Sequence, residues 1–259
     1  MASPAVAHAQ APLAAHLTFN TYAAGLQVAE VDAGIALGPT TYQIELAYHT
    51  TGMTSVFVHG YQYDLVTGSW GSAVPRPSRF LALGQWRGEE RVVRIEYDRG
   101  TPVVKEMRPT ADEEREPVPA SLQQNTIDAV SALAQLVRTV EKTGRCDGAV
   151  RTYDGRRAVE IKATTGGEEM LPTSSRSIFA GKALRCDFVG RLVAGFKLDE
   201  DREKAARPLR GSAWLAPLRT GEAPLPVRIT FQTRWMGDMT MYLTAVDDDP
   251  KVNLARHRR

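Results

Sequence analysis

Two cysteines are the residues whose type and spacing most directly suggest chemistry in this 259-residue chain. Cys146 and Cys186 stand forty positions apart, on segments whose patterns both predict strands. Isolated cysteines lack the C-x-x-C spacing and nearby histidines of a zinc site, and neither has the histidine and asparagine that accompany a cysteine nucleophile. The pair therefore predicts a disulfide and an oxidising compartment. Two reduced, buried thiols are the alternative.

Histidines are the weaker candidates for chemistry. His49 and His59 fall on neighbouring predicted strands and can approach each other, but a lone strand histidine is more often structural than catalytic. The sequence contains no P-loop, dinucleotide fingerprint or H-E-x-x-H motif, and its carboxylates form no assignable acid–base pair. We therefore predict a non-enzymatic protein without metal or cofactor, with a hydrolase as the less favoured alternative.

The elements that position these residues are mostly strands. Thr40–Thr50 places apolar and polar residues on alternate faces, and Glu89–Tyr97 does the same. A period of two is typical of strands with one buried face. Strands at this spacing, from Leu17 to about Pro109 without helices between them, favour a meander, sandwich or barrel.

Turn and loop residues divide these strands. Thr67-Gly68 predicts a turn, and Asp154-Gly155 predicts a two-residue hairpin. Thr164–Ser175 is polar and predicts a mobile connection. The charged stretch Arg108–Pro119 predicts a solvated loop, with an acidic binding site as the alternative.

One amphipathic helix is predicted over about residues 125–142. Apolar residues recur there every three or four positions, from Ile127 to Val140. Asn125 or Thr126 is expected to cap its N-terminus, and Gly144 to close its C-terminus. Such a helix must bury its apolar stripe, so we expect it to plug or flank a curved sheet. Gating of a cavity is the alternative.

Charge and hydropathy exclude two broad classes. The net charge of +2 is too balanced for a nucleic-acid-binding protein, and no apolar run approaches the ~20 residues of a membrane-spanning helix. Ala7-His8-Ala9 matches the A-x-A rule for signal-peptidase cleavage. We therefore divide the chain into a residual signal or disordered N-terminus (1–16), one β-rich domain (17–246) and a basic tail (247–259).

Several segments resemble an uncharacterised family of exported Gram-negative proteins, over about Leu17 to Val246. They read LTFNTYAAGLQVAEVDAGIAL, YQIELAYHTTG, TIDAVSALAQLV, VRTYDGRR, FAGKALRCDF and PVRITFQT. Related envelope proteins have a curled antiparallel sheet, or β-spiral, with one disulfide, and are tied to envelope integrity. The shape is broadly similar to that of outer-membrane lipoprotein carriers, whose open barrels hold acyl chains. The resemblance implies no catalytic residue.

These observations predict a mainly β fold: a strongly curved antiparallel sheet, either an open barrel or a β-spiral, with one helix packed against it and one disulfide. We expect a soluble periplasmic protein that supports the envelope by binding a lipid or other amphipathic ligand. The candidate ligand-binding residues are Tyr42, Tyr48, Phe57, Phe80, Trp86, Phe231 and Trp235. The alternative is an envelope scaffold that binds partner proteins through Arg151, Arg156 and Arg157.

Overall fold

A computed structural model describes residues 13–52, 55, 60–71, 74–219, 222–234 and 236–253. The fold is mainly β, with four helices among these residues. The strands are β1 (Leu13–Ala23), β2 (Leu26–Leu37), β3 (Thr41–Thr50), β4 (Gly60–Trp70), β5 (Pro75–Trp86), β6 (Glu89–Asp98), β7 (Thr101–Arg108), β8 (Gly148–Tyr153), β9 (Ala158–Leu171), β10 (Gly181–Ala194), β11 (Leu209–Ala216), β12 (Leu225–Thr233) and β13 (Gly237–Asp247). The helices are α1 (Ala111–Glu114), α2 (Ala120–Gln123), α3 (Ala129–Thr143) and α4 (Arg202–Ala206).

The thirteen strands form one antiparallel sheet in the order β7-β6-β5-β4-β3-β2-β1-β13-β12-β11-β10-β9-β8. Strands that follow each other in the chain are neighbours, and β1 pairs with β13 from His16↔Asp247 to Ala23↔Met239. That pairing joins the two halves of the chain into one surface. The sheet curls into a nearly closed barrel, which confirms the predicted fold class.

The barrel closes at a seam, defined here as the contact between β6–β7 and the turn that joins β8 to β9. Gly155 in this turn packs so tightly that a Cβ atom there would lie 2.7 Å from Met107 Cε and 3.1 Å from Val93 Cγ1. Arg156 donates hydrogen bonds to the carbonyls of Arg108 at 2.9 Å and Pro109 at 2.6 Å. The seam is therefore held by side chains and not by a strand ladder.

Helix α3 lies against the inner face of the sheet. Its buried residues Val130, Ala134, Val137 and Val140 share one apolar core with side chains from nearly every strand. Helix α3 also contacts the end of β4, where the Arg138 guanidinium lies 4.1 Å from the centroid of the Trp70 ring. The predicted packing of an amphipathic helix on a curved sheet is confirmed.

The ends of α3 differ partly from the prediction. The N-cap is Asp128, whose Oδ1 accepts a hydrogen bond from the Ser131 backbone N–H at 2.7 Å. Asn125 and Thr126 precede the cap, so the helix begins later than predicted. Gly144 ends the helix in a left-handed conformation, φ 65°, as predicted.

Cys146 and Cys186 form a disulfide, as predicted, with their Cα atoms 5.6 Å apart. Both residues are buried. Cys186 lies on β10, whereas Cys146 lies between α3 and β8 and not on a strand. The bridge therefore ties the chain leaving the helix to the wall of the barrel.

Five local predictions differ from the structure. Thr67-Gly68 is a bulge within β4 and not a turn, because the Tyr42 hydroxyl occupies the space that a Cβ on residue 68 would need. The predicted mobile stretch is strand as far as Leu171, since its backbone pairs with β10.

The β8–β9 turn has four residues, Asp154–Arg157, and not the predicted two. The predicted loop Arg108–Pro119 contains the short helix α1. β1 begins at Leu13, ahead of the predicted domain start.

Candidate functional site: a basic-mouthed cavity at one end of the barrel

A cavity of about 440 Å³ opens at one end of the barrel, between β3–β6 and the seam. Strand register builds one wall. Tyr48, Gln62, Gly84 and Arg91 pair across β3 to β6, and all four line the cavity. Because directly paired residues project from the same face of a sheet, they form one row.

A second row lies next to the first and is less polar. Leu46, Asp64, Ala82 and Val93 pair across the same four strands, and the last three line the cavity. Phe80, Trp86 and Val130 complete its apolar lining. The Trp86 ring lies directly over Gly60, where a Cβ would be only 2.1 Å from the ring. The glycine therefore allows an aromatic surface to lie against β4.

A chain of hydrogen bonds connects the polar groups of these rows. The Tyr48 hydroxyl donates to Gln62 Oε1 at 3.2 Å, and Gln62 Nε2 donates to Asp64 Oδ1 at 2.8 Å. Burial raises the pKa of Asp64 to about 7, against the opposing effect of the Gln62 hydrogen bond. Burial, together with the nearby Asp64 carboxylate, raises the pKa of Tyr48 to about 12.

Two arginines share one carboxylate on the seam side of the cavity. Glu114, at the end of α1, accepts two hydrogen bonds from Arg91, at 2.6 and 3.1 Å, and one from Arg156 at 3.4 Å. Hydrogen bonding from Arg91 lowers the pKa of Glu114. The segment predicted as a solvated loop thus supplies a half-buried carboxylate that joins β6 to the β8–β9 turn.

A second ion pair lies within the β8–β9 turn itself. The Asp154 carboxylate accepts backbone N–H groups of Arg156 and Arg157 at 2.9 and 2.7 Å and pairs with the Arg157 guanidinium at 2.7 Å. The pKa of Asp154 is lowered overall: burial alone would raise it, but the Arg157 charge and these hydrogen-bond donors together outweigh burial. Side-chain hydrogen bonds of aspartate to the following backbone are typical of such turns.

The cavity lining carries an excess of positive charge. Five basic residues line the cavity, namely Arg91, Arg115, Arg156, Arg157 and Lys197, against three acidic residues, Asp64, Glu114 and Asp154. Arg115 follows α1 and is half-buried, and it donates from Nη1 to the Gly195 carbonyl at 2.7 Å. Burial, followed by the nearby Arg157 charge, lowers the pKa of Arg115.

The predicted site residues separate into three groups. Tyr48, Phe80 and Trp86 line the cavity together with Arg156 and Arg157, so the structure joins parts of two predicted sets. Tyr42 belongs to the core, where its hydroxyl lies 2.8 Å from Ser131 Oγ, and Phe231 is half-buried on β12 away from the cavity lining. Arg151 pairs with Glu160 at 3.1 Å, outside the cavity. Phe57, Trp235 and His59 lie outside the described residues.

Several cavity residues were not predicted, although the sequence carried a signal for two of them. Arg91 and Asp64 occupy positions whose neighbours two residues along, Val93 and Val66, are buried. A polar residue in an otherwise apolar inward series is such a signal. Arg115 and Lys197 come from irregular segments, where periodicity does not predict which side chains point inward.

Other features of the described residues give weaker candidates. A second cleft of about 420 Å³ lies beside Ile178, Phe179 and Leu218, and its cation Arg219 is already paired with Asp248 at 2.8 Å. No group of three potential metal ligands occurs in the described parts of the chain. No helix in those parts is long and apolar enough to cross a membrane.

The fold and the cavity define a class: barrel-like β proteins with a helix against the inner wall and an opening at one end. A β-barrel-like protein of the domain of unknown function DUF1849 from Brucella abortus has a similar fold, with a TM-score of 0.51 over 91% of this chain and 97% of that chain. The chain itself belongs to the family described as protein of unknown function (DUF3108), whose model matches residues 17–244. At 11% identity, the structural likeness concerns the fold alone. Comparison with curated proteins finds no match.

Proposed function

We propose that this protein is a non-enzymatic binder of an amphipathic ligand that supports the cell envelope from the periplasm. The observation that carries the proposal is the cavity, which combines an apolar wall at Phe80, Trp86 and Val130 with a basic mouth. Its volume of about 440 Å³ falls in the ~300–1,000 Å³ range of small-molecule sites. A ligand with an apolar part and a polar end matches both surfaces.

The disulfide supports the proposed location. Disulfides persist in oxidising compartments and are rare where thiols are kept reduced. Fractionation of the native host should therefore recover the protein in the periplasmic fraction with both cysteines oxidised. Recovery in the cytoplasm with two free thiols would contradict the location without affecting the binding proposal.

Filling the cavity tests the binding proposal. Ala82 faces the cavity between Asp64 and Val93, so Ala82→Phe should reduce its volume, whereas Val103→Phe adds a similar ring at an exposed position of β7. Native mass spectrometry after mild extraction should detect an amphiphile on the wild type and on V103F, and much less on A82F. Absence of ligand from all three proteins would favour the alternative of an envelope scaffold without a ligand.

A further inference from the structure

We propose that Arg115, Lys197 and Arg157 form an anion site at the cavity mouth, which selects a single-chain amphiphile with an anionic head group such as phosphate or carboxylate. This inference rests on the proposed function and names the ligand class. It follows from three observations: the pairing of two segments, the distribution of carboxylates, and the polarity gradient along the cavity.

The first observation is that two irregular segments hold Arg115 and Lys197 side by side. The Glu116 N–H donates to the Phe196 carbonyl at 2.8 Å, and the Leu198 N–H donates to the Glu114 carbonyl at 3.1 Å. These two bonds flank an antiparallel bridge between residues 115 and 197. In such a non-hydrogen-bonded pair the side chains lie especially close and on the same face. Both line the cavity.

The second observation is that the carboxylates at the mouth are engaged elsewhere. Glu114 is bound by Arg91 and Arg156, and Asp154 is bound by Arg157. Within the described chain, neither Arg115 nor Lys197 has a carboxylate oxygen within 4 Å, and the Arg115 contact is a neutral carbonyl. Arg115 and Lys197 are thus two positive charges that no carboxylate of the described chain pairs with directly.

Like charges at a partly buried site repel one another, and the repulsion is strongest where water is scarce. Arg115 is half-buried, and burial followed by the Arg157 charge lowers its pKa, against smaller opposite effects of Asp154, Glu114 and Glu200. An anion between these groups would remove the repulsion. Guanidinium groups also match the geometry of phosphate and carboxylate oxygens through paired N–H donors.

The third observation fixes the orientation of the ligand. Asp64 lies in the row with Ala82 and Val93, one step further from the strand ends than the row of Arg91, and it offers an anion no positive charge. Phe80, which pairs with Ile95 beyond these rows, and Val130 on α3 provide an apolar surface, whereas Trp86 pairs with Glu89 at the rim. The head group therefore binds at the mouth, and the chain extends inward.

Matched detergents test the head-group preference. Binding of dodecyl phosphate, dodecyl maltoside and inorganic phosphate is measured by isothermal titration calorimetry, with each detergent below its critical micelle concentration. We expect dodecyl phosphate to bind at least about tenfold more tightly than either of the other two. Its affinity, and not that of the maltoside, should fall as salt is raised, because salt screens the charged contacts.

Three variants assign the effect to the proposed site. Arg115→Gln and Lys197→Gln should each weaken dodecyl phosphate binding, R115Q by about tenfold, and leave dodecyl maltoside binding unchanged. Arg94→Gln is the charge-matched control, because Arg94 is an exposed cation on β6 paired with Glu106 at 3.1 Å. Lys197 is exposed, so K197Q remains informative if R115Q does not fold.

The outcomes separate the two proposals. Equal affinity for the two detergents, or equal effects of R115Q, K197Q and R94Q, would overturn the anion site while leaving ligand binding in place. Inorganic phosphate that binds as tightly as dodecyl phosphate would also overturn it, since the chain would then contribute nothing. If neither detergent binds, the proposed function fails together with the anion site.

Discussion

At the scale of single residues, Asp64 is a buried carboxyl in the cavity whose pKa is strongly raised. Its carboxyl faces an apolar row and accepts one hydrogen bond, from Gln62. Burial disfavours the charged form and raises its pKa to about 7, with Asp128 and Asp154 adding smaller effects of the same sign. In the unfolded chain an aspartate ionises near pH 3.9.

This difference predicts how stability depends on pH. Between about pH 4 and pH 7 the folded protein holds a proton on Asp64 that the unfolded chain has released, so the contribution of this group to stability falls as pH rises. Above about pH 7 the folded state carries a buried charge, and the loss is complete. Asp64→Asn should therefore raise the urea midpoint more at pH 8 than at pH 5.

The matched control for this measurement is Asp98→Asn, which removes the same charge from an exposed position at the end of β6. D98N should follow the wild-type pH profile. A D64N profile parallel to that of the wild type from pH 5 to pH 8 would show that Asp64 ionises as easily in the folded protein as in the unfolded chain.

At the scale of elements, the start of α3 depends on one buried side chain. Asp128 accepts the Ser131 backbone N–H at 2.7 Å and the Ser131 hydroxyl at 2.6 Å. The same hydroxyl contacts the Tyr42 hydroxyl on β3. Burial raises the pKa of Asp128, against these hydrogen bonds, which lower it. The helix cap and the contact between helix and sheet are therefore one network.

Asp128→Ala should lower the free energy of unfolding by about 1–2 kcal/mol, because it leaves the first turn of α3 without its cap. Asp128→Asn retains an oxygen that can accept the Ser131 N–H and should lose less. Urea unfolding followed by circular dichroism measures both values. Equal losses in the two variants would indicate that the cap does not account for the role of Asp128.

The sequence predicts most strands because their inner faces are mostly apolar. Alternation in Thr41–Thr50 and Glu89–Asp98 assigns the inward residues correctly, for example Ile44 and Ile95. It fails at Gly68, where glycine serves close packing against Tyr42 and not a turn. It also fails from Thr164 to Leu171, where pairing with β10 satisfies the backbone although the side chains are polar.

The candidate site is less predictable than the fold. Tyr48, Phe80 and Trp86 are recovered because aromatic residues on an inward face are visible in the alternation. Arg115 and Lys197 meet only because the sheet closes and two distant segments bridge. No local pattern encodes that closure, since it depends on the order of all thirteen strands.

At the scale of the whole molecule, we expect the seam to hold the sheet in its curled form. The sheet ends at β7 and β8, and unpaired sheet ends are free to separate unless side chains hold them. Arg156 is the central contact: its side chain is only 10% exposed, and it donates to Glu114 and to the carbonyls of Arg108, the last residue of β7, and Pro109. The disulfide fixes the same part of the chain from the other side, by tying Cys146 to β10.

Arg156→Ala should therefore destabilise the protein by about 2–3 kcal/mol, since it removes two hydrogen bonds to seam carbonyls and the contact with Glu114. Arg151→Ala is the control: its pair with Glu160 is more exposed and should contribute at most about 1 kcal/mol. Hydrogen exchange locates the change. In R156A, amides of β7 and β8 should lose protection earlier than those of β1 and β13, because the sheet opens at its ends. Uniform loss across the sheet, or equal effects of R156A and R151A, would mean that the seam does not hold the barrel closed.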